Sequence, residues 1–152
     1  MHTITNWLAI GRLSDINNEL LLQGHKIKAI LVLGRESASH NLPAMALDVQ
    51  GDQPISSDVL GEALSFIHEQ KAQGNKVLIT CDTEISLSTA YATAALKEET
   101  GMSVLDSFLE VRKYHPSALP NPVLWQSLAE IYGEPMAFEE LQDIMRKIEE
   151  AS

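Results

Sequence analysis

The chain of 152 residues has one cysteine, Cys81, at a position where a thiol can do chemistry. The aliphatic run 77–79 ends just before it, and a run of small residues typical of a helix begins at Ser88. A strand, a loop and a helix N-terminus in this order turn backbone N–H groups toward an anion and favour a reactive thiol. The pattern therefore predicts an anion-binding loop that carries a nucleophilic sulfur.

The pattern around this loop predicts the elements that position it. Aliphatic runs over 27–33 and 77–79 indicate buried strands, segment 4–10 indicates an edge or hairpin strand, and segment 43–47 could pair beside the buried strands. Apolar residues recur at helical spacing from Ser56 or Ser57 up to Gly74, which predicts a crossover helix between two strands. We therefore predict an α/β fold with a central, mostly parallel sheet that is flanked by helices.

Helical patterns dominate the rest of the chain. We expect a short helix over 14–22 and, after the Cys81 loop, helices over 88–99, 104–114 and 122–132. A last segment from Phe138 to Ile148 places its apolar residues on one stripe. We predict one domain over residues 1–135 and an amphipathic C-terminal helix over 136–152 packed on it, because no long linker intervenes. Docking of that helix on a partner is the alternative.

Composition excludes several classes of function. The formal net charge of −10 repels polyanions, so nucleic acid is not an expected partner. No apolar run reaches the roughly 18 to 20 residues of a membrane span, and the N-terminal segment has no signal-peptide pattern. The histidines show no metal-ligand spacing. We expect a cytoplasmic protein that has no metal, no cofactor and no membrane association.

Several segments resemble the dual-specificity and protein tyrosine phosphatases, which use a catalytic cysteine. The resemblance covers roughly residues 4–132 of this sequence. It is carried by segments 8–11 (LAIG), 62–67 (EALSFI), 76–79 (KVLI), 108–116 (FLEVRKYHP) and 120–122 (PNP). The resemblance implies a dual-specificity phosphatase-like fold, with the C-terminal helix as an addition.

The resemblance also implies a site. Cys81 stands at the nucleophile position, and Asp48 stands at the position of the general acid that protonates the leaving oxygen. Ser88 matches the hydroxyl residue that helps the thiolate leave in the second step. The implied phosphate loop comprises Asp82, Thr83, Glu84, Ile85, Ser86 and Leu87. From the residues alone, Cys81 could equally be a small residue that ends a buried strand, and Asp48 could cap a turn.

Three positions of this loop depart from the family pattern. Thr80, Glu84 and Leu87 stand where the family has His, Gly and Arg. Arginine donates two hydrogen bonds to phosphate oxygens, whereas leucine donates none. Glu84 adds a side chain and a negative charge where the backbone must approach the phosphate. We therefore expect most transition-state stabilisation to be lost, and the Cys81 thiol to be mostly protonated at neutral pH.

Three hypotheses about function remain. The favoured one is a catalytically impaired pseudophosphatase that acts as a binding or regulatory module toward a protein partner or a phosphorylated ligand. The second is a weak or altered cysteine-dependent phosphatase that hydrolyses phosphoesters through Cys81, with Asp48 as general acid. The third, a rhodanese-like sulfurtransferase, also uses one cysteine in a strand-to-helix loop. It fits less well, because the helical half after the loop resembles the phosphatases.

Overall fold

Five strands form one sheet in the computed structural model, which describes residues 1–34, 40–81 and 85–152. In chain order the strands are β1 (His2–Thr5), β2 (Leu8–Arg12), β3 (Ile27–Leu33), β4 (Ala44–Leu47) and β5 (Lys76–Cys81). Their order across the sheet is β1-β2-β5-β3-β4. Strand β1 is antiparallel to β2, and the other neighbouring pairs are parallel. The predicted α/β fold with a mostly parallel sheet is confirmed.

Helices cover both faces of this sheet. They are α1 (Glu19–Gly24), α2 (Ser57–Ala72), α3 (Ile85–Thr100), α4 (Val104–Tyr114), α5 (Pro122–Ile131) and α6 (Phe138–Ala151). Parallel strands need a long crossover connection, and α2 supplies the one between β4 and β5. None of the described helices is long and apolar enough to cross a membrane.

Two apolar clusters form the core, one on each face of the sheet. Along β3 the side chains alternate: Ile30 and Val32 belong to the smaller cluster, and Leu31 and Leu33 belong to the larger one. The smaller cluster packs under α1 through Leu22. The larger cluster holds residues of α2 to α6. Because both faces are covered, β3 and β5 read as continuous apolar runs in the sequence.

The N-terminal third differs in detail from the sequence-based expectation. Segment 4–10 is not one strand, because the chain turns at Asn6 and Trp7 and pairs β1 with β2 as a hairpin. The helix expected over 14–22 is divided into a 3₁₀ helix, Leu13–Asn17, and α1. Asn18 separates the two, since its side chain accepts a hydrogen bond from the Leu21 N–H at 3.1 Å and so caps α1.

Helix α6 packs on the helical side of the domain. Leu141 is fully buried and Met145 nearly so, and both belong to the larger apolar cluster. The indole N–H of Trp125 in α5 donates to the Met136 carbonyl at 2.9 Å, just before α6. Arg112 of α4 forms an ion pair with Glu149 at 3.0 Å. Leu141 and Met145 of the apolar stripe of α6 are thus buried against its own chain, whereas Ile148 near the end of the helix is exposed.

Candidate functional site

The carboxyl ends of the parallel strands bring the candidate residues to one edge of the sheet. Cys81 ends β5, and it lies in register with Arg12 at the end of β2 and with Leu33 at the end of β3. Leu33 is in turn paired with Leu47 of β4, directly before Asp48. Asp48 therefore follows a strand that is two positions from β5, roughly 10 Å away across the sheet. Ligands of open α/β sheets bind at this edge.

Cys81 and Ser88 are in contact. The Ser88 hydroxyl donates a hydrogen bond to the Cys81 sulfur at 3.0 Å. Ser88 is fully buried in α3, and Cys81 is half-buried at the end of β5. A hydrogen bond donated to sulfur stabilises the thiolate form relative to the thiol. The structure therefore joins two of the three residues that the sequence assigns to catalysis.

The Thr80 side chain is buried within the sheet. It is fully buried in β5, and its hydroxyl donates a long hydrogen bond of 3.5 Å to the Leu31 carbonyl of β3. A threonine at this position therefore satisfies its own polar group within the sheet. It offers the Cys81 thiol no positive charge, in line with the expectation drawn from the sequence.

Leu87 lies in the hydrophobic core. Helix α3 begins at Ile85, three residues before the predicted start at Ser88, so the loop residues Ile85, Ser86 and Leu87 form its first turn. Leu87 is 3% exposed and belongs to the larger apolar cluster together with Tyr91, one turn further on. Burial of both side chains on one helix face explains the earlier start.

Asp48 begins a loop that is tied to α5. The Asn121 side chain donates to the Gly51 carbonyl at 2.5 Å. The Ile55 N–H donates to the Ser127 hydroxyl at 3.1 Å. These bonds fix the loop from 48 to 56 against the helical side of the domain. Asp48 itself is exposed.

The candidate residues line two different cavities. Cys81 and Ser88 line one of about 700 Å³. Asp48 and Leu87 line another of about 450 Å³. Leu87 and Ser88 are neighbours in α3, and successive helix residues point about 100° apart, which directs them to different sides. Neither of these two cavities is lined by both Cys81 and Asp48.

The cavity at Cys81 holds charged groups that the sequence analysis did not identify. Arg12 and Asp15 line it, and the backbone N–H of Arg12 donates to the Asp15 carboxylate at 2.9 Å. Arg12 is exposed and is the strand neighbour of Cys81. Arg12 could not be identified from the sequence, because β2 and β5 are far apart along the chain and are neighbours only in the folded sheet. The signal that identifies it is the position of Arg12 directly after Gly11, at the end of a parallel strand.

Two histidines complete the wall of that cavity. His115 is 5% exposed, and its ring stacks on His2 with 3.7 Å between ring centroids and 9° between ring planes. Burial lowers the pKa of His115 to about 4, and the charge of His2 acts in the same direction. His115 is therefore neutral at physiological pH. Its imidazole can exchange a hydrogen bond with a ligand in the cavity but does not supply a positive charge.

Part of the predicted site lies outside the described residues. Asp82, Thr83 and Glu84 of the predicted phosphate loop are in this group. Over residues 1–34, 40–81 and 85–152, no group of three or more His, Cys, Asp or Glu side chains could hold a metal ion.

Comparison with known proteins identifies a relative in sequence. "Putative tyrosine phosphatase 123R" of Invertebrate iridescent virus 6 is 27% identical over 121 residues, which cover 78% of this chain and 84% of the viral protein. No family profile matches the chain.

Solved structures share the fold. The human tyrosine phosphatase-like serine/threonine/tyrosine-interacting protein superimposes with a TM-score of 0.77 at 24% identity, over 88% of this chain and 95% of that one. DUSP15 superimposes with a TM-score of 0.76 at 25% identity, over 98% and 95%. The structure described as "mouse putative dual specificity phosphatase complexed with zinc tungstate" gives a TM-score of 0.78 at 22% identity, over 85% and 84%.

The resemblance stated from the sequence is thus confirmed: this chain is similar to the dual-specificity and protein tyrosine phosphatases in sequence and in fold.

Proposed function

We propose that this chain is a pseudophosphatase, a phosphatase-fold protein that binds or regulates a protein partner and does not hydrolyse phosphoesters. The observation that carries the proposal is the burial of Leu87 in the apolar cluster, at the position where the family has its phosphate-binding arginine. We place the protein in the cytoplasm, because its single cysteine provides no internal disulfide.

The loss of rate expected without a phosphate-binding arginine supports this proposal. Phosphoryl transfer depends on positioning and on opposite charge at the transferred group. A missing arginine costs on the order of 10³ to 10⁵ in rate in related reactions, which corresponds to about 4 to 7 kcal/mol. Leu87 offers neither charge nor hydrogen-bond donor. The nearest described residues of the same helix turn, Ile85 and Ser86, offer no positive charge either.

Hydrolysis of para-nitrophenyl phosphate tests the proposal. The wild-type protein is expected to release para-nitrophenol no faster than the Cys81→Ser variant at equal concentration. Cys81→Ser is a matched control, because it removes the nucleophilic sulfur and keeps a small polar side chain. Turnover that depends on Cys81 would contradict the proposal.

A second candidate, a weak or altered cysteine-dependent phosphatase, has one observation in its favour. Arg12 lines the same cavity as Cys81, and the Ser88 hydroxyl contacts the Cys81 sulfur at 3.0 Å. In this alternative Arg12 supplies the positive charge that Leu87 lacks, and Asp48 is the general acid. It predicts turnover that is lost in Cys81→Ser and falls at least about tenfold in Arg12→Ala.

A further inference from the structure

The cavity at Asp48 and Leu87 has an apolar inner wall and a polar rim. Leu87, Tyr91 and Leu124 form the wall and are 3%, 1% and 0% exposed. Asp48 and Gln50 at the rim are exposed. The volume of about 450 Å³ lies within the range of small-molecule and side-chain binding sites. Such a wall suits an aromatic or aliphatic group rather than an ion.

Tyr91 brings one polar group to this wall. Its hydroxyl makes no hydrogen bond to another residue of the described chain, and it is not among the fully buried polar atoms that lack a partner, so it is accessible to solvent. Burial raises the pKa of Tyr91 to about 12, so the hydroxyl stays neutral and can both donate and accept. An apolar ligand that displaces water from this hydroxyl would leave it without a partner, which is costly, whereas a ligand with its own hydrogen-bonding group replaces the water. The wall therefore favours a ligand with one neutral hydrogen-bonding group.

The charges around the cavity disfavour a phosphate. Among the described residues that line it, Asp48 is the only charged one. The sequence has no Lys or Arg between Arg35 and Lys71, a stretch that includes β4, the Asp48 loop and most of α2. A dianionic phosphate would therefore meet like charge and no arginine or lysine at this site.

We propose that this cavity binds the side chain of an unphosphorylated tyrosine from a protein partner, and that phosphorylation of the same tyrosine excludes it. The inference rests on the proposed non-hydrolytic function and gives it a ligand. The phenol ring matches the apolar wall, and its hydroxyl replaces the water at the Tyr91 hydroxyl. A phenylalanine displaces that water and leaves Tyr91 without a partner, and a phosphotyrosine brings a negative charge close to Asp48.

Small side-chain analogues test this specificity on the intact protein. p-Cresol represents tyrosine, toluene represents phenylalanine and 4-methylphenyl phosphate represents phosphotyrosine. In a ¹H–¹⁵N NMR titration, p-cresol is expected to bind with a dissociation constant on the order of 1 mM and to shift signals of 48–59, 87–91 and 124. Toluene is expected to bind at least threefold more weakly, and 4-methylphenyl phosphate at least tenfold more weakly.

Two variants separate the contributions of the wall and the rim. Tyr91→Phe is expected to remove the preference for p-cresol over toluene. Its control is Tyr114→Phe, at an exposed tyrosine that does not line the cavity. Asp48→Asn is expected to raise affinity for 4-methylphenyl phosphate at least threefold and to leave p-cresol binding within twofold. Its control is Asp143→Asn, which makes the same charge change on α6.

The outcomes distinguish this inference from the proposed function. Binding of 4-methylphenyl phosphate as tightly as p-cresol, or a preference for p-cresol that survives Tyr91→Phe, would overturn the inference. p-Cresol shifts that lie only outside the cavity would also overturn it. ³¹P NMR of the same samples reports hydrolysis separately. Release of inorganic phosphate that Cys81→Ser abolishes would contradict the proposed function itself.

Discussion

The Ser88 hydroxyl and the Cys81 sulfur are joined by a hydrogen bond of 3.0 Å. This contact connects the first turns of α3 to the end of β5, and it keeps a donor at the sulfur. Leu87, the residue before Ser88, is packed in the apolar core instead. The contact at the sulfur is thus present, whereas the adjacent position, to which the resemblance assigns the phosphate-binding arginine, is apolar.

Removal of this contact should slow the reaction of Cys81 with alkylating agents. Ser88→Ala deletes the donor, so the thiolate loses stabilisation, and alkylation by iodoacetamide at pH 7.5 is expected to slow roughly three- to tenfold. The rate of mass increase on the intact protein measures this. Thr89→Val is the control, because the Thr89 hydroxyl is buried and has no hydrogen-bond partner within the described ranges. An equal slowing in both variants would contradict the assignment.

His115 should make the protein sensitive to acid. Its pKa is lowered to about 4 in the folded protein, below the ordinary value of 6.5, so the unfolded chain binds more protons between these values. His115 therefore has no effect on the pH dependence of stability well above pH 6.5, and stability falls as the pH drops from 6.5 toward 4. Because solvent screens part of the shift, we expect a loss on the order of 1 to 2 kcal/mol in the free energy of unfolding.

Urea unfolding at pH 7.5, 5.5 and 4.5 measures this effect. The loss of stability between pH 7.5 and 4.5 should be smaller in His115→Gln than in the wild-type protein. His68→Gln serves as the control, because His68 is exposed and pairs with Glu99 at 2.8 Å on the surface. A wild-type pH slope that persists in His115→Gln would show that other groups are responsible.

Helix α6 should contribute to stability through its buried stripe. Leu141 is fully buried, so Leu141→Ala is expected to lower the free energy of unfolding by about 2 to 5 kcal/mol. Ile148 lies on the same helix and is 49% exposed, so Ile148→Ala should cost less than about 1 kcal/mol. Urea unfolding of both variants measures the difference. Equal, small losses would mean that α6 is not held on the domain in solution.

The buried strands of the sheet could be predicted because each is a short, continuous run of mostly apolar residues. The aliphatic runs of β3 and β5 are buried on both faces and therefore stand out without alternation. The bounds of α4, Val104–Tyr114, agree with the prediction, since Ser103 caps its start by accepting from the Asp106 N–H at 3.0 Å. Helix caps and apolar periodicity involve residues only a few positions apart, so the sequence alone shows them.

Other features depend on contacts between distant segments. Arg12 and Cys81 are neighbours only because β2 and β5 pair, so the sequence did not identify Arg12 as a site residue. The early start of α3 depends on burial of Leu87 against the core. Cys81 and Asp48 line different cavities because the consecutive α3 residues Ser88 and Leu87 point in different directions, one to each cavity. Each requires the tertiary structure.

Restoration of the family residues should recover anion binding before it recovers turnover. Leu87→Arg with Glu84→Gly supplies the guanidinium and removes an acidic side chain, so orthovanadate binding is expected to appear. Hydrolysis requires the reactive thiolate as well, so it should follow only when Thr80→His is added. Calorimetry on the double variant and a hydrolysis assay on the triple variant measure the two steps. A folded double variant that binds no vanadate would mean that the segment around Cys81 does not form a phosphate-binding loop.

Orthovanadate titration of the unmodified protein by calorimetry tests the central claim most directly. Vanadate reports on the site independently of turnover, because it resembles the transferred phosphoryl group in its transition state. With Leu87 in the core, the wild-type protein is expected to show no saturable binding up to about 5 mM, and to give the same trace as Cys81→Ser. Saturable binding that Cys81→Ser abolishes would contradict the account.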